Sequence, residues 1–90
     1  MIESFADGEA EKIFHRQPSR LYGSLQKAIS RKLLMLHGAR LLSDLTHPPG
    51  NRLEALRGDR KGQHSMRIND QYRVCFIWEE PYAHEIEIAD

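Results

Sequence analysis

At Pro48 and Pro49 the spacing of apolar residues changes from about 3.6 to about 2, and this switch narrows the chain to one class of fold. Before it, a rotation of about 100° per residue from Leu21 to His37 gathers Leu21, Tyr22, Leu25, Ala28, Ile29, Leu33, Met35 and Leu36 on one arc. That arc predicts a helix with one packing face. After it, "RLEAL", "QHSMRI", "YRVCFIW" and "HEIEI" alternate, separated by the turn stretches "GDRKG", "NDQ" and "EEPYA", which predicts a four-stranded antiparallel meander. "MIESF" also alternates and reads as a short first strand. Helices first and strands last predict an α+β fold, with an antiparallel sheet of four to five strands and the N-terminal helices on one face.

Local signals punctuate the helical half. Asp7 is placed to cap a helix over "DGEAEKIFHRQ", with acids in its first turn, and Pro18 breaks the chain. Gly38 ends the second helix, and "ARLLSDL" adds another turn or two before "THPPGN" stops it. Lys27 and Arg31 lie opposite the apolar arc with Ser24 and Ser30. Lys32 falls inside the arc and is expected to snorkel, whereas Leu34 points away from it.

Ninety residues without repeats make one domain, residues 1–90, with a modest core: such a chain buries only ~60–65% of the surface its unfolded form exposes. No apolar run approaches the ~20 residues of a membrane helix, and the acidic N-terminus is unlike a signal peptide, so no membrane and a cytoplasmic location are expected. The single Cys75 has no partner for an internal disulfide and, within "YRVCFIW", suits a small buried hydrophobe. His15, His37, His47 and His84 lack the spacing of a metal site, and no metal is expected.

The formal net charge is zero, yet charge is segregated: residues 1–14 carry −3, 15–47 carry +5, 52–73 carry +3 and 74–90 carry −5. This asymmetry leaves two readings, a polyanionic partner on the middle of the chain or mutual neutralisation in the fold.

The register of the central hairpin decides what its arginines can do. A three-residue loop of Asn69, Asp70 and Gln71 sets Ile68 against Tyr72, Met66 against Val74 and His64 against Phe76 on one face, and Arg67 against Arg73 on the other. A two-residue loop would set Met66 against Arg73 and mix the faces, so the longer loop is predicted. Trp78 then shares the core side with Val74 and Phe76, as does His64. Directly opposed like charges are unfavourable, so something must compensate Arg67 and Arg73. One candidate is the last strand, whose Glu85 and Glu87 have the parity to pair with Arg73; the other is a bound polyanion such as a phosphodiester backbone. "RGDRKG" adds Arg57, Arg60 and Lys61 around a turn flanked by Gly58 and Gly62, where backbone N–H groups can also face an anion. The chain has no Walker motif, dinucleotide fingerprint or nucleophile elbow.

The segment "PPGNRLEALRGDRKGQHSMRINDQYRVCFIW" resembles the central block of the HigB-like toxins of the RelE superfamily, the toxin halves of bacterial type II toxin–antitoxin pairs. The order of elements is similar over nearly the whole chain. The resemblance implies a compact RelE-like domain that enters the ribosomal decoding site and cuts messenger RNA without a metal or cofactor. In that chemistry a 2′-hydroxyl attacks the adjacent phosphodiester, leaving a cyclic phosphate and a free 5′-hydroxyl. Positive charge must then stabilise a crowded phosphorane, and other groups must move protons. Arginine suits the first task but not the second, because its guanidinium stays protonated.

On this resemblance Arg73 matches the strand arginine that stabilises the transition state, and Arg57 matches a basic position close to the scissile phosphate. Glu54 stands where some relatives have a histidine; it is a base if burial raises its pKa, or else a partner of Arg52 or Arg57. Relatives commonly finish in an Asp-Tyr-His-like segment used for stacking and proton transfer, and Asp90 matches its first position. If the rest is missing, binding is expected to survive while catalysis is impaired. Arg52, Arg60, Lys61 and Arg67 are expected to anchor RNA. The implied partners are the ribosome, its message and a cognate HigA-like helix-turn-helix antitoxin, in a hetero-oligomer that reaches operator DNA only through the antitoxin. The alternative is a non-catalytic module that binds ribosome, RNA or antitoxin.

Overall fold

In the computed structural model, which describes residues 1–90, Asp7 starts helix α1 (Gly8–Phe14). Its Oδ1 accepts the backbone N–H groups of Glu9 at 2.9 Å and Ala10 at 3.4 Å, and its Oδ2 accepts that of Ile88 at 3.1 Å. One carboxylate thus satisfies helix donors that have no partner within the helix and ties the helix to the last strand.

The second helix begins later than its apolar arc predicts. Gly23–Leu25 form a single 3-10 turn, and α2 runs over Gln26–Gly38. Gly23 has φ +36°, a left-handed conformation that suits glycine. Leu21 lies outside α2 and is 68% exposed, so it is not part of the packing face expected for it. Ile29, Leu33 and Leu36 are fully buried, each contributing about 1.5–3 kcal/mol. Leu34 is exposed, as its angle predicts. Lys32, inside the arc, is half-buried, and its Nζ donates to Oδ1 of fully buried Asn51. Burial lowers its pKa, with the Arg31 and Arg67 charges adding to the effect.

Beyond α2, Leu42–Thr46 form a 3-10 turn that buries Leu45. Strands β1 (Glu54–Ala55), β2 (Gln63–Arg67), β3 (Arg73–Glu79) and β4 (Tyr82–Ala89) then form an antiparallel sheet in sequence order. The central register is the predicted one: His64 faces Phe76, Met66 faces Val74, and Arg67 faces Arg73. Asn69 builds the loop, its Oδ1 accepting the N–H groups of Gln71 at 2.9 Å and Tyr72 at 2.7 Å, the local chemistry that makes asparagine a turn residue. The predicted first strand is reduced to two isolated parallel bridges, Ile2 with Ala83 and Phe5 with Ile86, beside β4.

The outer hairpin is not regular. Cys75 faces Glu87 but Ile77 faces His84, so Glu85 and Ile86 lie opposite Phe76 together. Glu85 takes up the extra residue at φ +54°. The helices cover one face of the sheet, where Met66, Val74, Phe76, Ala83, Ile86 and Ile88 meet Ala10, Ile13, Ile29, Leu33 and Leu36. Trp78 packs partly buried against this core, and the His64 ring stacks on Phe76 with centroids 6.1 Å apart. No helix is long and apolar enough to cross a membrane.

Candidate functional site

Alternation along β2 and β3 that turns Met66 and Val74 into the core turns Ser65, Arg67, Arg73 and Cys75 to the opposite face. There Arg73 is held from several sides. Its Nε donates to Oγ of Ser65 at 2.7 Å, and its Nη2 donates to the carbonyl of Arg52 at 3.0 Å and lies 2.8 Å from Oε1 of Glu54. The Arg52 carbonyl is presented by a left-handed residue, φ +45°, closing the turn Pro49–Asn51. Behind it, fully buried Asn51 donates from Nδ2 to the carbonyls of Leu45 and His47, both at 3.1 Å. A buried amide therefore fixes the loop whose next carbonyl restrains Arg73.

Arg67, directly opposite, donates from Nε to the Asn69 carbonyl at 3.2 Å and pairs with Asp70. Together Arg52, Glu54, Arg67, Asp70, Gln71 and Arg73, with Asn69, line a cleft of about 310 Å3 that contains no hydrophobic residue. Asp90 sits at its edge, where its Oδ2 accepts from Nε2 of Gln71 at 3.3 Å. A larger hollow of about 650 Å3 lies along α1 and α2 and is lined by Arg16, Lys27 and uncharged groups. It contains no acid–base pair and none of the candidate residues, so chemistry rather than size singles out the smaller cleft.

The structure therefore gathers Arg52, Glu54, Arg67 and Arg73, with Asp90 beside them. It does not gather all the predicted residues. Arg57 and Lys61 are exposed at the two ends of the Gly58–Arg60 turn, outside the cleft lining. Arg60 is committed elsewhere: its Nη1 bonds Oε1 of Glu87 and Oε1 of Gln63, and the bond to Glu87 raises its pKa.

Two expectations are corrected. Neither Glu85 nor Glu87 neutralises Arg73, because the bulge displaces Glu85 and Glu87 is taken by Arg60; the partner is Glu54. Glu54 pairs with neither Arg52 nor Arg57, and 55% of its side chain is exposed. Cys75 is buried as expected but on the site face, outside the helix-side core. Burial pushes its thiol pKa up, while Arg60 opposes the shift, Glu87 adds to it and Arg73 opposes it. Ser65 and Asn51 escape sequence reading. Ser65 shares the parity of Arg67 and Arg73, which is a usable signal, but nothing near Asn51 in sequence marks a buried amide.

Residues 3–89 match the family model described as HigB-like toxin, RelE-like toxin of type II toxin–antitoxin system HigB. Over 60 residues the chain is 48% identical to Toxin HigB-1 of Vibrio cholerae serotype O1, covering 67% of this chain and 63% of that protein. Over 61 residues it is 36% identical to an uncharacterized protein of Haemophilus influenzae, covering 68% of this chain and 60% of that one. The chain thus spans about three fifths of the length of the curated relatives it matches. Among solved structures, a mutant of YafQ from E. coli is similar with a TM-score of 0.60 at 13% identity, over 99% of this chain and 90% of that one. YafQ from E. coli strain BL21(DE3) gives a TM-score of 0.58 at 11% identity with the same coverage. The family match and the RelE-like arrangement of helices and sheet agree, and the chain belongs to the HigB-like, RelE-like toxins of type II toxin–antitoxin systems.

Proposed function

We propose that the protein is an endoribonuclease that cuts messenger RNA on the ribosome by attack of a 2′-hydroxyl on the adjacent phosphodiester. The observation that carries this reading is the restrained Arg73 guanidinium, set beside Arg67 in a wholly polar cleft. A guanidinium held in place before the substrate arrives need not reorganise as charge builds on the phosphorane, the condition under which electrostatic stabilisation is most effective.

In this mechanism the 2′-oxygen bonds to phosphorus, its proton passes to a base, the P–O5′ bond breaks, and the 5′-oxygen takes a proton. The products are a 2′,3′-cyclic phosphate and a 5′-hydroxyl. Arg73 and Arg67 take the phosphate, and Arg57 approaches from the neighbouring turn. Glu54, in contact with Arg73, accepts the first proton, and Asp90 at the cleft edge handles the second. Arg52 and Lys61 contact flanking RNA, while Arg60 stays paired with Glu87 beside them. The partner that restrains the toxin is a helix-turn-helix antitoxin, through which the complex reaches operator DNA.

A second reading, a module that binds ribosomes without cutting, is favoured by one feature: Arg73 and Arg67 each already carry a carboxylate, Glu54 and Asp70. Ribosomes programmed with a defined message separate the two. We expect cleavage to a 2′,3′-cyclic phosphate and a loss of about 100-fold or more in Arg73→Ala. Tight binding with the message left intact supports the second reading.

A further inference from the structure

We infer that Ser65 is a positioning residue of the cleavage site, acting on the substrate only through Arg73; this rests on the endonuclease reading above. A guanidinium has five N–H donors. The Nε donor of Arg73 goes to Ser65, and Nη2 serves the Arg52 carbonyl and Glu54, so the two donors on Nη1 are the ones left without a protein partner. Of the three restraints, the Glu54 carboxylate is half exposed and is the one an incoming phosphate can displace. The Ser65 hydroxyl is fully buried and the Arg52 carbonyl belongs to the backbone. These two inner contacts set the plane of the guanidinium, and Ser65 alone among them is a side chain that mutation can remove.

Serine at this position also follows from packing. Ser65 lies between Glu54 on β1 and Cys75 on β3, directly across from each, in the middle of the sheet. A larger polar side chain would displace Arg73 outward, and an apolar one would leave the Arg73 Nε–H without an acceptor at the floor of the cleft. The site face therefore carries a fully buried hydroxyl whose one side-chain partner is the arginine assigned to the phosphate.

The test compares single-turnover cleavage of ribosome-bound message by saturating protein, ribosome affinity, and thermal unfolding. Because a misplacement of about 1 Å can cost about 100-fold in rate, Ser65→Ala is expected to slow cleavage by about 10- to 100-fold. Its affinity for ribosomes should stay within about threefold, and Ser65→Thr, which keeps the hydroxyl, should cleave within about fivefold of wild type. With no side-chain donor at position 73, Ser65→Ala in an Arg73→Ala background should add less than about twofold. An equal loss in both backgrounds means that Ser65 acts on the fold and overturns the inference, as does a Ser65→Ala enzyme at the wild-type rate.

Exchange of the Arg73 Nε–H, followed by NMR in the wild-type protein, does not depend on any variant folding. Exchange as fast as that of exposed Arg57 also overturns the inference. A wild-type protein that leaves the message intact instead removes the endonuclease reading and this inference with it, a result distinct from cleavage that is indifferent to Ser65.

Discussion

Arg67 and Arg73 stand directly opposite one another across the β2–β3 hairpin, and each is neutralised by a different carboxylate, Asp70 for Arg67 and Glu54 for Arg73. Opposed cations on neighbouring strands are unfavourable, so the cleft holds its own counter-anions beside the two guanidinium groups. The pairs are solvent-accessible and individually weak, which makes them displaceable.

Glu54→Gln separates the ion pair with Arg73 from the proton-accepting role proposed for that carboxylate. Losing the competing charge should tighten ribosome binding by about two- to fivefold, the range of an exposed ion pair. Losing the base should slow cleavage by about 100-fold or more. Binding and single-turnover rates measured on the same preparation check both. Tighter binding with undiminished cleavage would remove Glu54 from proton transfer and leave it as a counter-anion only.

Lys61 is exposed and has no ion-pair partner, whereas Arg60 beside it is engaged by Glu87. Lys61→Ala should therefore make the dependence of log affinity on log salt shallower by about 0.7–0.9, according to whether the RNA contacted is single- or double-stranded. An unchanged slope strikes Lys61 from the phosphate contacts.

Asp7 accepts from three backbone donors on two elements. Asp7→Ala removes a helix cap and leaves the N–H of nearly buried Ile88 without its acceptor, so unfolding free energy should fall by about 2–4 kcal/mol. Urea unfolding measures this. A loss under about 1 kcal/mol would mean that the bond to β4 contributes nothing beyond the cap.

Two carboxylates predict the acid limb of stability. The Ser19 hydroxyl donating to Glu9 holds that carboxyl below its ordinary value, and the backbone N–H groups of Leu41 and Arg40 do the same for Asp44. A lowered folded pKa contributes stability that is complete above the unfolded value, near pH 4, and lost as pH falls through the folded value. Asp44→Asn should accordingly be less stable than wild type at pH 7, and the gap should close as pH falls below about 4. Urea midpoints across that range test it; a constant gap rejects the assignment.

Local chemistry carried much of the architecture. Asp7 capped the helix it was expected to cap, and the alternation of "QHSMRI" and "YRVCFIW" admitted one register, because a slip by one residue would bury Arg73 beside Met66. That register already placed Arg67 and Arg73 side by side. Leu21 shows where the periodic signal failed: it matches the helical arc, but the chain bends at Gly23 before the helix begins.

The partners of those arginines were a different matter. Helical and strand periods report which face a residue occupies, and they follow from the residue types along one segment. Which carboxylate meets Arg73 depends on a bulge that displaces Glu85, on Arg60 taking Glu87, and on a loop fixed by buried Asn51 that presents the Arg52 carbonyl. Each of these joins segments distant in the chain. By itself the sequence determined the faces and the register, and with them the juxtaposition of Arg67 and Arg73. Only the tertiary structure decided how they are held, because hydrogen bonds of about 3 Å need angstrom-level placement that no spacing along one strand specifies.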